Sequence, residues 1–302
     1  MRTPTREAVR SEEPGFSQTV PRALVHRAAI SEVLLTDWLR TDRDEFTVAA
    51  QWPRAHAYHT PVGGCHDPLL AAETVRQASM LVSHAGYDVP LGSAFLTRSL
   101  SYLVEPDGLR QDDRPLNLVA RVSCRPLKLR AGRPREMRTD VTLYRDGEAV
   151  GSGHAEFTVV EPAAYARLRP ADRIAPADPL APPVAPGSVG RHRAADVVLA
   201  EHPAGEGWLL RADQSHPVLF DHPVDHVPGA LLLEAARQAA VLALGPVLPY
   251  GMHTVFHHYV EFAGAAVVSA EPEPADGLGL RVQVVQAGRV AALSRVLVRA
   301  SG

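Results

Sequence analysis

The chain has 302 residues, 46% of them hydrophobic and 22% charged, enough for two globular domains or one large one. A net charge of −3 gives no global field to recruit nucleic acid or an anionic membrane. Lys128 is the only lysine among 31 basic residues, which argues against Schiff-base catalysts and Walker phosphate loops. Cys65 and Cys124 form neither a zinc-ligand pair nor a disulfide framework. No run approaches about 20 apolar residues, and the polar N-terminus lacks a signal core, so a cytoplasmic protein without membrane contact is expected.

In chain order, residues 1–22 read as a flexible tail. Apolar runs at Ile30–Thr36 and Glu45–Trp52 are predicted strands, separated by the turn signal Thr41-Asp42-Arg43-Asp44. After a His-rich loop comes a predicted helix, Pro68–Ala85. Four strand-like runs follow, near 94–104, 116–125, 136–145 and 149–160, with Asp107-Gly108 and Asp146-Gly147 among their turns. Residues 162–190 hold seven prolines and read as an extended or irregular linker. The same order then recurs: strands at 196–200 and 208–213, a helix at 228–244, and runs near 253–262, 265–271, 279–286 and 289–299.

The recurrence has landmarks. His26-Arg27-Ala28-Ala29 returns as His192-Arg193-Ala194-Ala195, and Glu73-Thr74-Val75-Arg76-Gln77-Ala78 as Glu234-Ala235-Ala236-Arg237-Gln238-Ala239. The interval between the two landmarks is 47 residues in one copy and 42 in the other. A repeat at this scale means one unit made twice: a domain over residues 23–161 and another over 191–302. Two strands, one helix and four strands imply an α+β unit with a mostly antiparallel sheet.

Each helix is apolar nearly all round, and such a helix is normally buried. Yet each carries a Glu, Arg and Gln at i, i+3 and i+4, which lie on one face: Glu73, Arg76 and Gln77, then Glu234, Arg237 and Gln238. A buried Glu–Arg pair is costly without partners or a task. Proline at each helix start suits the first helical position, and Asp67 is placed to cap the first helix. Free amides there would suit an oxyanion or a polarised carbonyl.

The repeated helix resembles the hot-dog fold, in which a sheet wraps one long helix. The segment Phe220-Asp221-His222-Pro223-Val224-Asp225-His226-Val227-Pro228-Gly229, running into Glu234, is similar to the motif of hydroxyacyl carrier-protein dehydratases, where a loop His precedes Pro-Gly and a helical Glu. That likeness nominates His222, and His59 in the first copy, as supporting residues. Both copies, however, read Glu-x-x-Arg-Gln, where dehydratases typically carry a small residue before the Gln. Tandem domains with this motif in both, and His-Arg-Ala near both starts, resemble the A-factor biosynthesis (AfsA) family over residues 24 to 300.

That resemblance implies tandem hot-dog domains packed as a pseudo-dimer. It also implies an acyltransferase that moves a β-ketoacyl group from acyl carrier protein to the hydroxyl of dihydroxyacetone phosphate, the precursor step to γ-butyrolactone, butenolide or furan signals of actinomycetes. The residue chemistry is compatible. Glu73 or Glu234 would be the general base, Arg76 or Arg237 would hold the phosphate, and helix-start amides or Gln77 and Gln238 would face the thioester oxyanion. Which copy is productive stays open, as does a homodimer.

An acidic carrier protein would need a basic patch. Arg125, Lys128, Arg130, Arg133 and Arg135 supply one, within a stretch whose only acid is Glu136. It is too short and too poor in aromatics for nucleic acid. No cofactor fingerprint or complete metal-ligand set is seen, and Cys65 beside His66 reads as structural rather than nucleophilic. Two alternatives remain: a dehydratase or thioesterase acting on acyl carrier protein, and a non-catalytic binder of acyl chains or lactones.

Overall fold

A computed structural model describes residues 13–171, 174–273 and 279–300. Strand positions follow the period of two that a half-buried sheet imposes. Along Leu116–Arg130, for example, Leu116, Leu118, Ala120, Val122 and Cys124 point into the core, while Asn117, Arg121 and Arg125 face solvent.

The first half contributes β1 (Leu35–Arg40), β2 (Glu45–Trp52), β3 (Ala94–Val104), β4 (Leu116–Arg130), β5 (Arg133–Arg145) and β6 (Glu148–Val160). The second contributes β7 (Leu199–Glu201), β8 (Trp208–Leu210), β9 (Val247–Phe256), β10 (Ala266–Pro272), β11 (Gly279–Gln286) and β12 (Arg289–Ala300). All pair antiparallel in one twelve-stranded sheet, ordered β1-β2-β4-β5-β6-β3-β9-β12-β11-β10-β8-β7. The order reads identically inward from both edges, and the halves join where β3 pairs β9, Ser99 opposite Val255. The repeat is therefore a pseudo-twofold.

Helix α1 (Leu69–Leu81) packs on the first half of the sheet and α3 (Gly229–Leu244) on the second, each wrapped as in the hot-dog fold. The approach of α1 to β6 is close. A Cβ on Gly153 would lie 2.8 Å from Val75 Cγ2 and 2.4 Å from the Ser101 carbonyl oxygen, so only glycine fits there.

Several boundaries differ from expectation. Ile30–Glu32 is a 3-10 turn, not the start of a strand, because the Gln77 side chain takes its backbone bonds: the Leu34 amide donates to Oε1, and Nε2 donates to the Glu32 carbonyl. β9 begins at Val247, earlier than the predicted run, and Pro249 sits within it as a bulge opposite Val298. After Leu81 the first helix widens into a π turn, Val82–Gly86. The expected flexible tail is corrected where it is described. Val20 is buried and donates to the Leu35 carbonyl, and the Gly15 amide donates to Asp37; residues 1–12 lie outside the described residues. The linker opens with a helix, α2 (Pro162–Leu168). Arg169 then anchors it to the second half through Asp225 and Glu261.

Candidate active site

Both Glu-x-x-Arg-Gln motifs are buried ion clusters built to one plan. Glu73 accepts from Arg27 Nε at 3.1 Å, Arg76 Nε at 2.8 Å and Nη2 at 2.7 Å, and Gln77 Nε2 at 2.5 Å. Glu234 accepts from Arg191 Nε at 2.9 Å, Arg237 Nε at 2.8 Å and Nη2 at 2.7 Å, and Gln238 Nε2 at 2.6 Å. Each glutamine also ties down the segment before its first strand, Gln238 bonding the Val198 amide and the Asp196 carbonyl. Gln77 and Gln238 are thus fully engaged and not free to meet an oxyanion.

The second arginine of each cluster comes from the earlier landmark, in a register the sequence match misplaces by two residues. Arg27 corresponds to Arg191, not Arg193. Arg76 Nη2 reaches the Val25 carbonyl and Arg237 Nη2 the Val189 carbonyl, each in a 3-10 turn whose cap is left-handed, His26 and Gly190 respectively. Arg193 is exposed. Both arginines then cross the pseudo-twofold: Arg27 Nη1 donates to the Val218 carbonyl and Arg191 Nη1 to the Tyr58 carbonyl.

The two clusters differ in what faces them. Glu73, Arg27 and Arg76 line a cavity of about 250 Å³ whose opposite wall is the second half's loop and the start of α3. Leu69, Met80, Phe95, Leu100, Leu233 and Phe256 make it largely aliphatic and aromatic. Gly229 and Ala230 line it too, and the first amides of a helix have no intrahelical acceptor. Among the described residues Arg76 Nη1 meets only the Met80 sulfur, at 2.9 Å, a weak acceptor, so this donor is available to an anion.

The Glu234 cluster is more fully enclosed by protein than the Glu73 cluster. Glu234 is 0% and Arg237 4% exposed, and the facing helix start is already filled. Asp67 accepts from the Leu69 amide at 3.0 Å and lies 3.4 Å from Arg191 Nη1 and 3.5 Å from His59 Nδ1. It caps α1 as predicted and also plugs the second site with a built-in carboxylate.

The loop histidines are not equivalents of one another. His56 and His216 correspond, each accepting two backbone amides through Nδ1. His59 therefore matches Leu219. His59 and His222 both line the cavity, from opposite halves. Sequence reasoning missed Arg27, Tyr58, His26 and His226 as wall residues. Tyr58 Oη is buried without a hydrogen-bond partner among the described residues, and His226 Nδ1 pairs with Asp225 at 2.5 Å. Cys65 is buried outside this wall and donates to the Pro106 carbonyl.

Burial would raise the carboxyl pKa of Glu73, Glu234 and Asp67. Arg27 and Arg76 around the first, Arg191 and Arg237 around the second, and His59 and Arg191 around the third overcome it and hold all three below the usual range. A carboxyl group depressed on folding stabilises the native state fully above its unfolded pKa, and that stability disappears as pH falls through the folded value. Melting temperature should therefore be flat from pH 7 to about 5 and fall steeply below about 4. Thermal scans across pH 7 to 2.5 check this, and a flat profile down to pH 3 would contradict it.

A family model described as A-factor biosynthesis hotdog domain matches residues 9–161 and 173–259. The chain belongs to the AfsA family. One relative in this family, the 2-oxo-3-(phosphooxy)propyl 3-oxoalkanoate synthase of Streptomyces virginiae, is 47% identical over 88% of this chain and 92% of its own. A synthase of the same name from Streptomyces coelicolor is 42% identical over 86% of this chain and 84% of its own. Among solved structures, an acyl-ACP thioesterase from Bacteroides thetaiotaomicron aligns over 84% of this chain and 98% of its own, with a TM-score of 0.50 and 12% identity. At that identity the likeness shows a shared fold alone. No helix among the described residues is long and apolar enough to cross a membrane.

Proposed function

We propose that this chain is a cytoplasmic enzyme that transfers a 3-oxoacyl group from a carrier-protein thioester to the hydroxyl of dihydroxyacetone phosphate, and that the Glu73 half carries the chemistry. The observation that carries this reading is the paired guanidinium groups of Arg27 and Arg76, clamped on Glu73 in the wall of an otherwise aliphatic cavity. A phosphate grip beside an acyl channel suits a transferase with a phosphorylated acceptor; a thioesterase needs only water. Glu73 serves here as the anchor of the arginines. Both arginines converge on its Oε1 and Arg76 Nε holds its Oε2, so taking up a proton would loosen the clamp that positions them. Gly229 and Ala230 amides at the start of α3 face the thioester oxygen. The Glu234 cluster, closed by Asp67, is structural.

Arg125, Lys128, Arg130, Arg133 and Arg135 form a hairpin, β4–β5, that we assign to carrier docking. Arg125 is paired with Asp140 and Arg135 bonds the Val159 carbonyl, while Arg130 and Arg133 flank the tip beside exposed Leu127 and Leu129. The hairpin projects from the end of the sheet where β3 begins, and Phe95 and Thr97 of β3 line the cavity.

Mass spectrometry of products from 3-oxoacyl carrier-protein thioesters with dihydroxyacetone phosphate tests the assignment. A phosphorylated ester, formed with thiol release that depends on the acceptor, is expected. Release of free acid at the same rate without acceptor would favour the thioesterase alternative.

A further inference from the structure

The proposed acyl transfer needs a base for the acceptor hydroxyl, and Glu73 is unsuited to it. A pair of histidines lies beside Arg76 instead. His84 Nδ1 is 2.8 Å from the Val89 carbonyl, and His26 Nε2 is 2.8 Å from His84 Nε2. A carbonyl only accepts, so His84 Nδ1 carries its proton and His84 Nε2 is bare. The His26 Nε2–H must then donate to it, which leaves Nδ1 of His26 unprotonated on a ring that lines the cavity. The Phe95 edge packs against the same ring, 5.1 Å between centroids.

The backbone is irregular at both residues. His26 has φ +52°, a left-handed conformation that favours glycine. His84 sits in the π turn that interrupts α1, a feature often found at functional sites. In the closed half both are replaced by glycine. Gly190 holds the left-handed cap equivalent to His26, and Gly245 stands where His84 does, at the same distance beyond the helix glutamate. The histidine pair is present only where the cavity is open.

We propose that His26 is the general base of the acyl transfer and that His84 is a positioning residue that fixes its tautomer; this rests on the function proposed above. His26 Nδ1 takes the proton of the acceptor hydroxyl as its oxygen attacks the thioester carbonyl and the C–O bond forms. When the tetrahedral intermediate collapses the C–S bond breaks, and the thiolate recovers that proton from His26. Ester and thiol are the only products.

The charged and titratable groups facing His26 are His84 from the π turn, Arg76 from α1 and His222 from the opposite loop. Burial, then His84, Arg76 and His222, bring its pKa down to about 3. A phosphate bound at Arg76 offsets part of that positive field and raises the basicity of His26 once the acceptor is in place.

His26→Gly, which installs the residue of the closed half, tests the idea together with the wild type. We expect kcat for ester formation to fall about a hundredfold or more with KM for dihydroxyacetone phosphate little changed. Melting temperature should be unchanged or higher, and added imidazole should restore part of kcat. His84→Phe should lower kcat and shift its pH profile. Full activity of His26→Gly, or a loss confined to KM, would overturn the proposal, as would a His84→Phe pH profile identical to the wild type. Absence of ester with the wild type would instead overturn the transferase reading, and the base assignment with it.

Discussion

Arg76→Ala should lower kcat/KM for dihydroxyacetone phosphate by about a thousandfold while the protein stays folded. Arg76 offers the cavity a guanidinium whose Nη1 meets only the weakly accepting Met80 sulfur among the described residues, held in place by Glu73 on one side and the Val25 carbonyl on another. Losing two charge-assisted bonds to a phosphate costs about 4 kcal/mol, which is about three decades in rate. The fold should survive because Glu73 keeps Arg27 and Gln77 as partners. Steady-state kinetics on the purified variant, with circular dichroism as the control, decides the matter. Unphosphorylated dihydroxyacetone gives a second readout: the variant should have lost most of the wild-type preference for the phosphorylated acceptor. A variant that keeps that preference would place the phosphate elsewhere.

Glu234→Ala should act on stability instead, by about 3–5 kcal/mol. The substitution leaves Arg191 and Arg237 buried and facing each other without their carboxylate, and frees the Gln238 Nε2 of one acceptor. Asp67 remains within 3.4 Å of Arg191 but cannot reach round to replace both oxygens. Arg191 also stacks over the Tyr58 ring at 4.3 Å, so the damage extends to the cavity wall. Urea denaturation measures the loss. A Glu234→Ala protein as stable as wild type, but inactive, would mean that the second cluster has a catalytic part and that the assignment of the two halves is reversed.

Much of this was legible in the residues. An apolar helix with Glu, Arg and Gln on one face, found twice, pointed to the buried ion clusters, because such a helix has no wet side on which to leave them. The same repeat gave two α+β units, and their resemblance to a known family implied the tandem hot-dog architecture. The tetrapeptide landmark was informative only to within two residues. Ala- and Arg-rich sequence offers several matching registers, and only the left-handed caps at His26 and Gly190 and the carbonyls of Val25 and Val189 select one. The loop histidines were harder still. His59 and His222 look alike by spacing, but the loops differ in length, and what aligns them is the pair of amides accepted by His56 and His216.

What the sequence determined by itself was the repeated unit, its polar stripe and the near-absence of lysine, since these depend on composition and helical period alone. The inequality of the two halves belongs to the tertiary structure. Asp67 stands where the other half has Pro228, and that single exchange puts a carboxylate at one helix start and leaves the other open. Its consequence depends on Arg191, His59 and the α1 amide converging on it from both halves across the pseudo-twofold. No local pattern encodes that convergence, because it is made by residues far apart in the chain that meet only when β3 and β9 join the two halves.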